Sequence, residues 1–273
     1  VLEKVVEPVL INTAFGRFGW EDSHTISANI VSSKRGPAPA YQNVVPTEPN
    51  IQETSGRTGA VQTFEDLLKS PNDERLFEYY CTSQIALIGI GGKVREIGPP
   101  AIYDTADFSP DGKYILISRV DRPFSYQYPA DRFPQKVEIW DSNGKSVASI
   151  ANIPLQDNLP IQGVPVGPRA YAWIPTEPST LMWAEALDGG DPRKKVTPRD
   201  KLVTFAAPFT GTATELLKIE NRYSGRQFGE KDGLMLSGTE DIPFQRICIL
   251  GKSIGDQGHA AVGINQAQNW ILF

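Results

Sequence analysis

Four stretches of this chain repeat one plan: an aromatic residue, a turn rich in acidic, proline or glycine residues, then an apolar strand. They run from Phe18 through Trp20 to Ile26, from Asp107 to Ile115, from Ala172 to Leu181 and from Gln227 to Leu234. Such repetition constrains the fold strongly, because a single unit cannot bury its own apolar face and must stack on its neighbours. The marker aromatics Trp20, Phe108, Trp173 and Phe228 lie further apart than the ~40–50 residues of a propeller blade. Loops are therefore inserted between units, the largest in the first interval.

The second unit is the clearest. Ser109-Pro110-Asp111-Gly112 spells a tight turn, with proline fixing φ at the second position and glycine accepting positive φ at the end. A strand Lys113–Val120 follows, then Lys136–Trp140 and Lys145–Ile150 around Asn143-Gly144. Asn-Gly between alternating runs predicts a type I′ hairpin, which needs positive φ twice. The third unit gives Arg169–Ile174, Thr180–Ala186, Lys201–Ala206 and Thr214–Ile219; in the first, Ser83–Ile90 and Lys93–Ile97 flank Gly91-Gly92. Val5–Ile11 reads as the outermost strand of a preceding blade.

The expected fold is all-β, a β-propeller of four-stranded antiparallel blades with about four blades visible, the set being partial. The blades span 14–98, 101–152, 168–219 and 222–273, with 1–12 contributing a strand to a neighbouring blade. A helix-bearing insertion occupies 34–78. It is Pro-rich and polar from Lys34 to Asn50, then reads as a short helix Thr63–Ser70, with Thr63 as N-cap and Pro71 as its stop. Composition agrees with short strands, since 24 glycines and 22 prolines supply turns while 40% hydrophobic residues supply a core.

Charge narrows the function. The net charge is −5, and the longest basic run is Arg193-Lys194-Lys195, which excludes a nucleic-acid surface built on clustered cations. Apolar runs fall well short of the ~20 residues of a membrane-spanning helix. Cys81 and Cys248 cannot make a metal cluster by themselves; they are buried free thiols or, alternatively, one long-range disulfide. No metal and no cofactor is expected. The N-terminal Val1-Leu2-Glu3-Lys4 lacks an initiator methionine and a signal-peptide profile, so the chain reads as cut from something longer.

Two groups of residues are candidates for chemistry or binding. Gly251-Lys252-Ser253-Ile254-Gly255 matches the nucleophile-elbow pattern after the strand Arg246–Leu250. Ser253 is a weak nucleophile candidate, because Asp256 and His259 follow too closely to fold back as orienter and base. The acidic-glycine turn around Asp188 and Asp191, followed by Arg193, is a candidate binding loop, since charges on a loop tip are free to pair with a charged partner. Its bland alternative is a solvated connection. His24 reads as a surface or packing residue. Gly89-Ile90-Gly91-Gly92 precedes a strand rather than a helix and so fails as a phosphate loop. Asp141-Ser142-Asn143-Gly144 lacks the later ligands of a calcium loop.

Several motifs together carry a resemblance. Asn43–Glu53, Thr63–Leu68, Leu76–Tyr80, Tyr114–Ser118, Arg132–Val137, Trp183–Pro192 and Pro198–Asp200 resemble glutamyl endopeptidases of the prolyl oligopeptidase family, over roughly residues 14–235. The resemblance implies a propeller capping an α/β-hydrolase domain whose serine, aspartate and histidine cut after glutamate. It implies peptide substrate, or that hydrolase domain, as the partner, and a cytoplasmic, periplasmic or plastid location. No catalytic residue carries over, because the domain holding them is absent from this chain. From Ser237 to Phe273 the sequence departs from the family's next blade. Open blade edges would then invite self-association. Two other readings compete with a gating propeller, namely a stand-alone interaction module and a hydrolase using Ser253.

Overall fold

Central strands in this chain carry continuous apolar runs rather than alternation, such as Tyr114-Ile115-Leu116-Ile117 and Thr180-Leu181-Met182-Trp183-Ala184, which marks strands covered on both faces. The computed structural model, which describes residues 9–40, 64–228 and the strand 235–239, is mostly antiparallel sheet with one α-helix. The described residues fall into two compact units. One is drawn from residues up to Asp107 and from Tyr114–Ile161, the other from Phe108–Lys113 and from Gln162 onward.

The first unit is a seven-stranded sheet in chain order: β1 (Phe18–Trp20), β2 (Thr25–Ile30), β3 (Ser83–Gly89), β4 (Val94–Phe108), β5 (Tyr114–Val120), β6 (Gln135–Asp141) and β7 (Ser146–Ile153). Its core includes Ile85, Ile97, Ile115, Ile117, Val137 and Ile139, each at most 1% exposed. β4 is long enough to belong to two of the expected blades. Ser83 stands opposite Ala101 and Ile85 opposite Ile97, so β4 carries extra residues around Gly98-Pro99-Pro100. The buried Gln84 amide donates to the carbonyls of Ile97 (2.8 Å) and Gly98 (2.9 Å), satisfying groups that the bulge removes from the ladder.

Two expectations are corrected here. The β6–β7 turn is not type I′. Only Gly144 has positive φ (84°), while its N–H donates to Asp141 O, which is a type I turn closed by a left-handed glycine. The Asp141 carboxylate selects this form by accepting from the N–H groups of Asn143 (2.9 Å) and Lys145 (3.0 Å).

Pro71, read as a helix stop, is instead the start. Helix α1 runs Pro71–Cys81, with Ser70 as N-cap accepting from Asp73 N–H. Proline suits the first helical position because its missing N–H would have had no intrahelical acceptor. Residues 64–70 are not helical, and Asp66 is left-handed (φ 55°); Thr63 lies outside the described residues. The helix docks through Phe77, whose ring meets Phe15, Phe124 and Phe133 edge-on, and through Arg122, which binds Glu74 (2.6 Å) and Glu78 (2.9 Å). Cys81, at the end of α1, is a buried free thiol pushed up to about 11 by burial; Cys248 lies outside the described residues.

Of the expected N-terminal strand Val5–Ile11, residues 5–8 lie outside the described residues, and Ile11 bridges Ile30 of β2.

The second unit is a four-stranded sheet ordered β11 (Thr214–Ile219), β10 (Asp200–Ala206), β9 (Thr180–Ala186), β8 (Arg169–Trp173), with a separate hairpin of β12 (Tyr223–Phe228) and β13 (Met235–Thr239). These four strands match the sequence expectation closely. Met182, Ala184, Leu202, Ile219 and Tyr223 form its apolar core.

Candidate functional site

The connection from β9 to β10 carries all three residues expected to bind a partner. Asp188 follows β9 directly, and its carboxylate accepts from Gly190 N–H (2.8 Å), folding the loop back on itself. Gly190 must be glycine: its φ is 76°, and a Cβ there would lie 2.0 Å from the carbonyl oxygen of Val164. That turn carries Asp188 inward, where it is 2% exposed.

Inside, Asp188 meets charge rather than water. Arg222, 1% exposed, reaches Asp188 with one guanidinium nitrogen and Asp200 with the other. Arg199 adds Nε at 3.5 Å from Asp188 Oδ2 and donates Nη2 to the carbonyls of Pro192 (3.1 Å) and Lys194 (3.3 Å). Asp200 is fully buried and also accepts from Arg169 and from Tyr223 N–H at 2.6 Å. The five charged groups thus join the starts of β8, β10 and β12 to the loop after β9. Such charges survive burial only when paired and hydrogen-bonded. Arg169 Nη1 is the weak point, with no hydrogen-bond partner among the described residues.

Asp191 and Arg193 sit apart from this cluster. Arg193 donates Nε and Nη2 to the two carboxylate oxygens of Asp191, both at 2.9 Å. The Arg193 side chain is 79% exposed, and its hydrogen bonds hold the Asp191 carboxyl down to about 2. The structure therefore brings Asp188 into an internal network and leaves Asp191 with Arg193 at the surface. Asp200, Arg222, Arg199 and Arg169 were missed as a group. The one sequence signal was a charged residue abutting an apolar strand, as in Asp200 before Leu202-Val203 and Arg222 before Tyr223.

Ser253, Asp256 and His259 lie outside the described residues. His24 is at the surface, its Nδ1 2.6 Å from Ser23 Oγ. Asp22 accepts from the backbone N–H of His24 rather than from its ring, so these three consecutive residues do not form a proton relay. Among the described residues no three His, Cys, Asp or Glu side chains gather as a metal site, and no helix is long and apolar enough to cross a membrane.

Among the described residues antiparallel sheet dominates, and the charged clusters serve turns and strand starts. Comparison with known proteins makes the relationship particular: this chain is a homologue of the glutamyl endopeptidases. It is 41% identical over 223 residues to a probable chloroplastic glutamyl endopeptidase of Oryza sativa subsp. japonica, and 39% identical over 224 residues to one of Arabidopsis thaliana. Each match covers 80% of this chain but only 24% and 23% of the respective relative. The chain thus spans about a quarter of their length. No family model matches it.

Proposed function

We propose that this chain is a non-catalytic, propeller-type region of a glutamyl endopeptidase-like serine peptidase, which binds peptide or limits its access to an α/β-hydrolase domain. The observation that carries this reading is the identity to proteins named glutamyl endopeptidase over about a quarter of their length, in a stretch built of hairpin-linked antiparallel strands. The continuous strand β4 supports a blade succession, since it pairs with β3 at one end and runs on beside β5 at the other. On this reading the chain supplies about four blades of the four-stranded antiparallel kind, and the sheet β8–β11 has that size and pairing. Of the three loop residues, Arg193 faces water and is the one we assign to meeting a carboxylate on a peptide.

The test mixes the purified chain with the hydrolase domain of the rice relative and compares glutamate-containing peptides of different lengths. Slower cleavage of long peptides, with short ones spared, is the expected result. Equal rates with and without the chain would remove the gating role. Labelling of the chain alone by a fluorophosphonate, lost in Ser253→Ala, would replace it with a self-contained hydrolase.

A further inference from the structure

β1 ends the strand order of the seven-stranded sheet, and its ladder to β2 fixes which backbone groups face outward. Phe18, Gly19 and Trp20 stand opposite Ala28, Ser27 and Ile26. Just beyond, Asn29 N–H donates to Arg17 O (3.0 Å) and Glu21 N–H to Thr25 O (2.9 Å). Hydrogen-bonded pairs alternate along an antiparallel ladder. Arg17, Gly19 and Glu21 therefore turn their backbone groups toward β2, while Phe18 and Trp20 turn theirs to the other edge, where no further strand pairs among the described residues. Their side chains are exposed too, at 71% and 65%.

We propose that two copies of this chain pair through β1, antiparallel and two-fold symmetric about Gly19. The sequence Arg17-Phe18-Gly19-Trp20-Glu21 is complementary to itself in this register. Arg17 falls opposite Glu21 of the second copy, Phe18 opposite Trp20, and Gly19 opposite Gly19. The register is also the one the backbone permits, because Phe18 and Trp20 are the outward-facing residues on both strands and can exchange hydrogen bonds reciprocally. Opposed residues share a face, so Arg17 meets Glu21 on one side of the sheet and the aromatic pairs meet on the other.

Two further observations favour a second copy over an unrelated strand. A Cβ built on Gly19 would meet nothing within 4 Å, so the chain's own packing does not demand glycine there. Glycine within a strand is a mark of close backbone approach, and Gly19 would sit at the closely spaced, non-hydrogen-bonded position of the pairing. Glu21 is short of cations: partial enclosure holds its carboxyl above the ordinary range, Ser27 opposes this, and Asp107 and Asp22 add to it. An arginine from the second copy supplies the missing charge. Four aromatic side chains of ~150–250 Å² each place the contact at or below the lower limit of stable interfaces. The dimer is accordingly weak and reversible.

Sedimentation velocity of the full chain over a wide concentration range tests this, with circular dichroism confirming that each variant folds. The expected result is a monomer–dimer equilibrium. Arg17→Glu and Glu21→Arg each weaken dimerisation about tenfold, since two symmetric pairs turn repulsive. Mixing the two single variants restores dimers, because every facing pair is again opposite in charge. Trp20→Pro abolishes the dimer while sparing the β1–β2 ladder, as the lost N–H faces outward. A chain that stays monomeric throughout would overturn the proposal. So would association indifferent to these substitutions, or growth beyond dimers, which a two-fold contact cannot produce.

Discussion

Asp188 and Asp191 are three positions apart on one loop, and each is paired with arginine, yet they belong to different physical regimes. Asp188 is buried and shares Arg222 with Asp200, in a network whose three central groups have been withdrawn from water. Asp191 binds the Arg193 guanidinium at two points, but the arginine side chain remains 79% exposed. By geometry alone the surface pair is as well formed as the buried one. What differs is the alternative open to each group when the pair is broken. Water replaces the partner of Asp191 at little cost, whereas nothing replaces the partner of Arg222.

The largest effect is therefore expected from breaking the internal network. Asp200→Leu leaves Arg222 and Arg169 with a carboxylate fewer and strips Tyr223 N–H of its acceptor. A loss of about 3–5 kcal/mol follows from stranding a buried charge, with a further ~1–3 kcal/mol for the orphaned amide. Urea denaturation followed by fluorescence of the buried Trp173 and Trp183 reads this unit directly. Asp200→Asn sharpens the comparison, because an amide oxygen can still accept from Tyr223 N–H. It should recover the ~1–3 kcal/mol of the amide and leave the charge penalty in place. Equal losses in the two variants would show that the backbone bond contributes nothing.

Arg122 lies between these extremes. It holds Glu74 and Glu78 of α1 at once, stacks 4.6 Å from the Phe124 ring centre, and is 47% exposed. Arg122→Ala should cost about 1 kcal/mol, near the upper end for exposed ion pairs. The same denaturation experiment, read through the first unit, checks it. A loss as large as that of Asp200→Leu would erase the distinction between exposed and buried pairing.

A pH series probes the next rung. Asp111 is bonded by Ser179 (2.6 Å), Ser109 (2.8 Å) and Lys113 N–H (3.2 Å). Burial works against its ionised form, but these hydrogen bonds outweigh it and hold the carboxyl down to about 2. Its folded value is lower than that of the unfolded chain, so the stabilisation is complete above about 4. It is lost as pH falls from there through about 2. Asp111→Asn should flatten the stability profile of the second unit in that acid window, by about 0.5–1 kcal/mol after solvent screening. An unchanged acid limb would mean that these bonds do not survive in solution.

These contrasts explain what the sequence made legible. Strands from 114 to 219 were readable because apolar runs and turn residues are local signals, and the observed β5–β11 match them closely. The helix was misplaced because one proline supports two opposite readings, as a stop for the segment before it or as a start for the segment after. Only the Ser70 cap and the aromatic contacts of Phe77 decide between them. The binding loop was half legible for a similar reason. Its charges could be counted, but the turning of Asp188 inward depends on Gly190 passing close to Val164 and on Arg222, thirty-four positions away in the chain.

The smallest effect should come from the surface pair, and it separates stability from binding. Arg193→Ala removes both side-chain hydrogen bonds to Asp191, keeps the backbone N–H bond at 3.0 Å, and lets that carboxyl return toward its ordinary value, yet the lost side chain was largely exposed and its removal opens Asp191 to water. The urea midpoint should not move measurably. If Arg193 meets a peptide carboxylate as we assign it, the same variant should weaken binding of a glutamate-containing peptide and reduce the salt dependence of that binding, because one exposed cation has gone. Fluorescence anisotropy of a labelled peptide at two ionic strengths reads both. A shifted urea midpoint with unchanged peptide binding would place Arg193 in the loop's own architecture and move the peptide contact elsewhere.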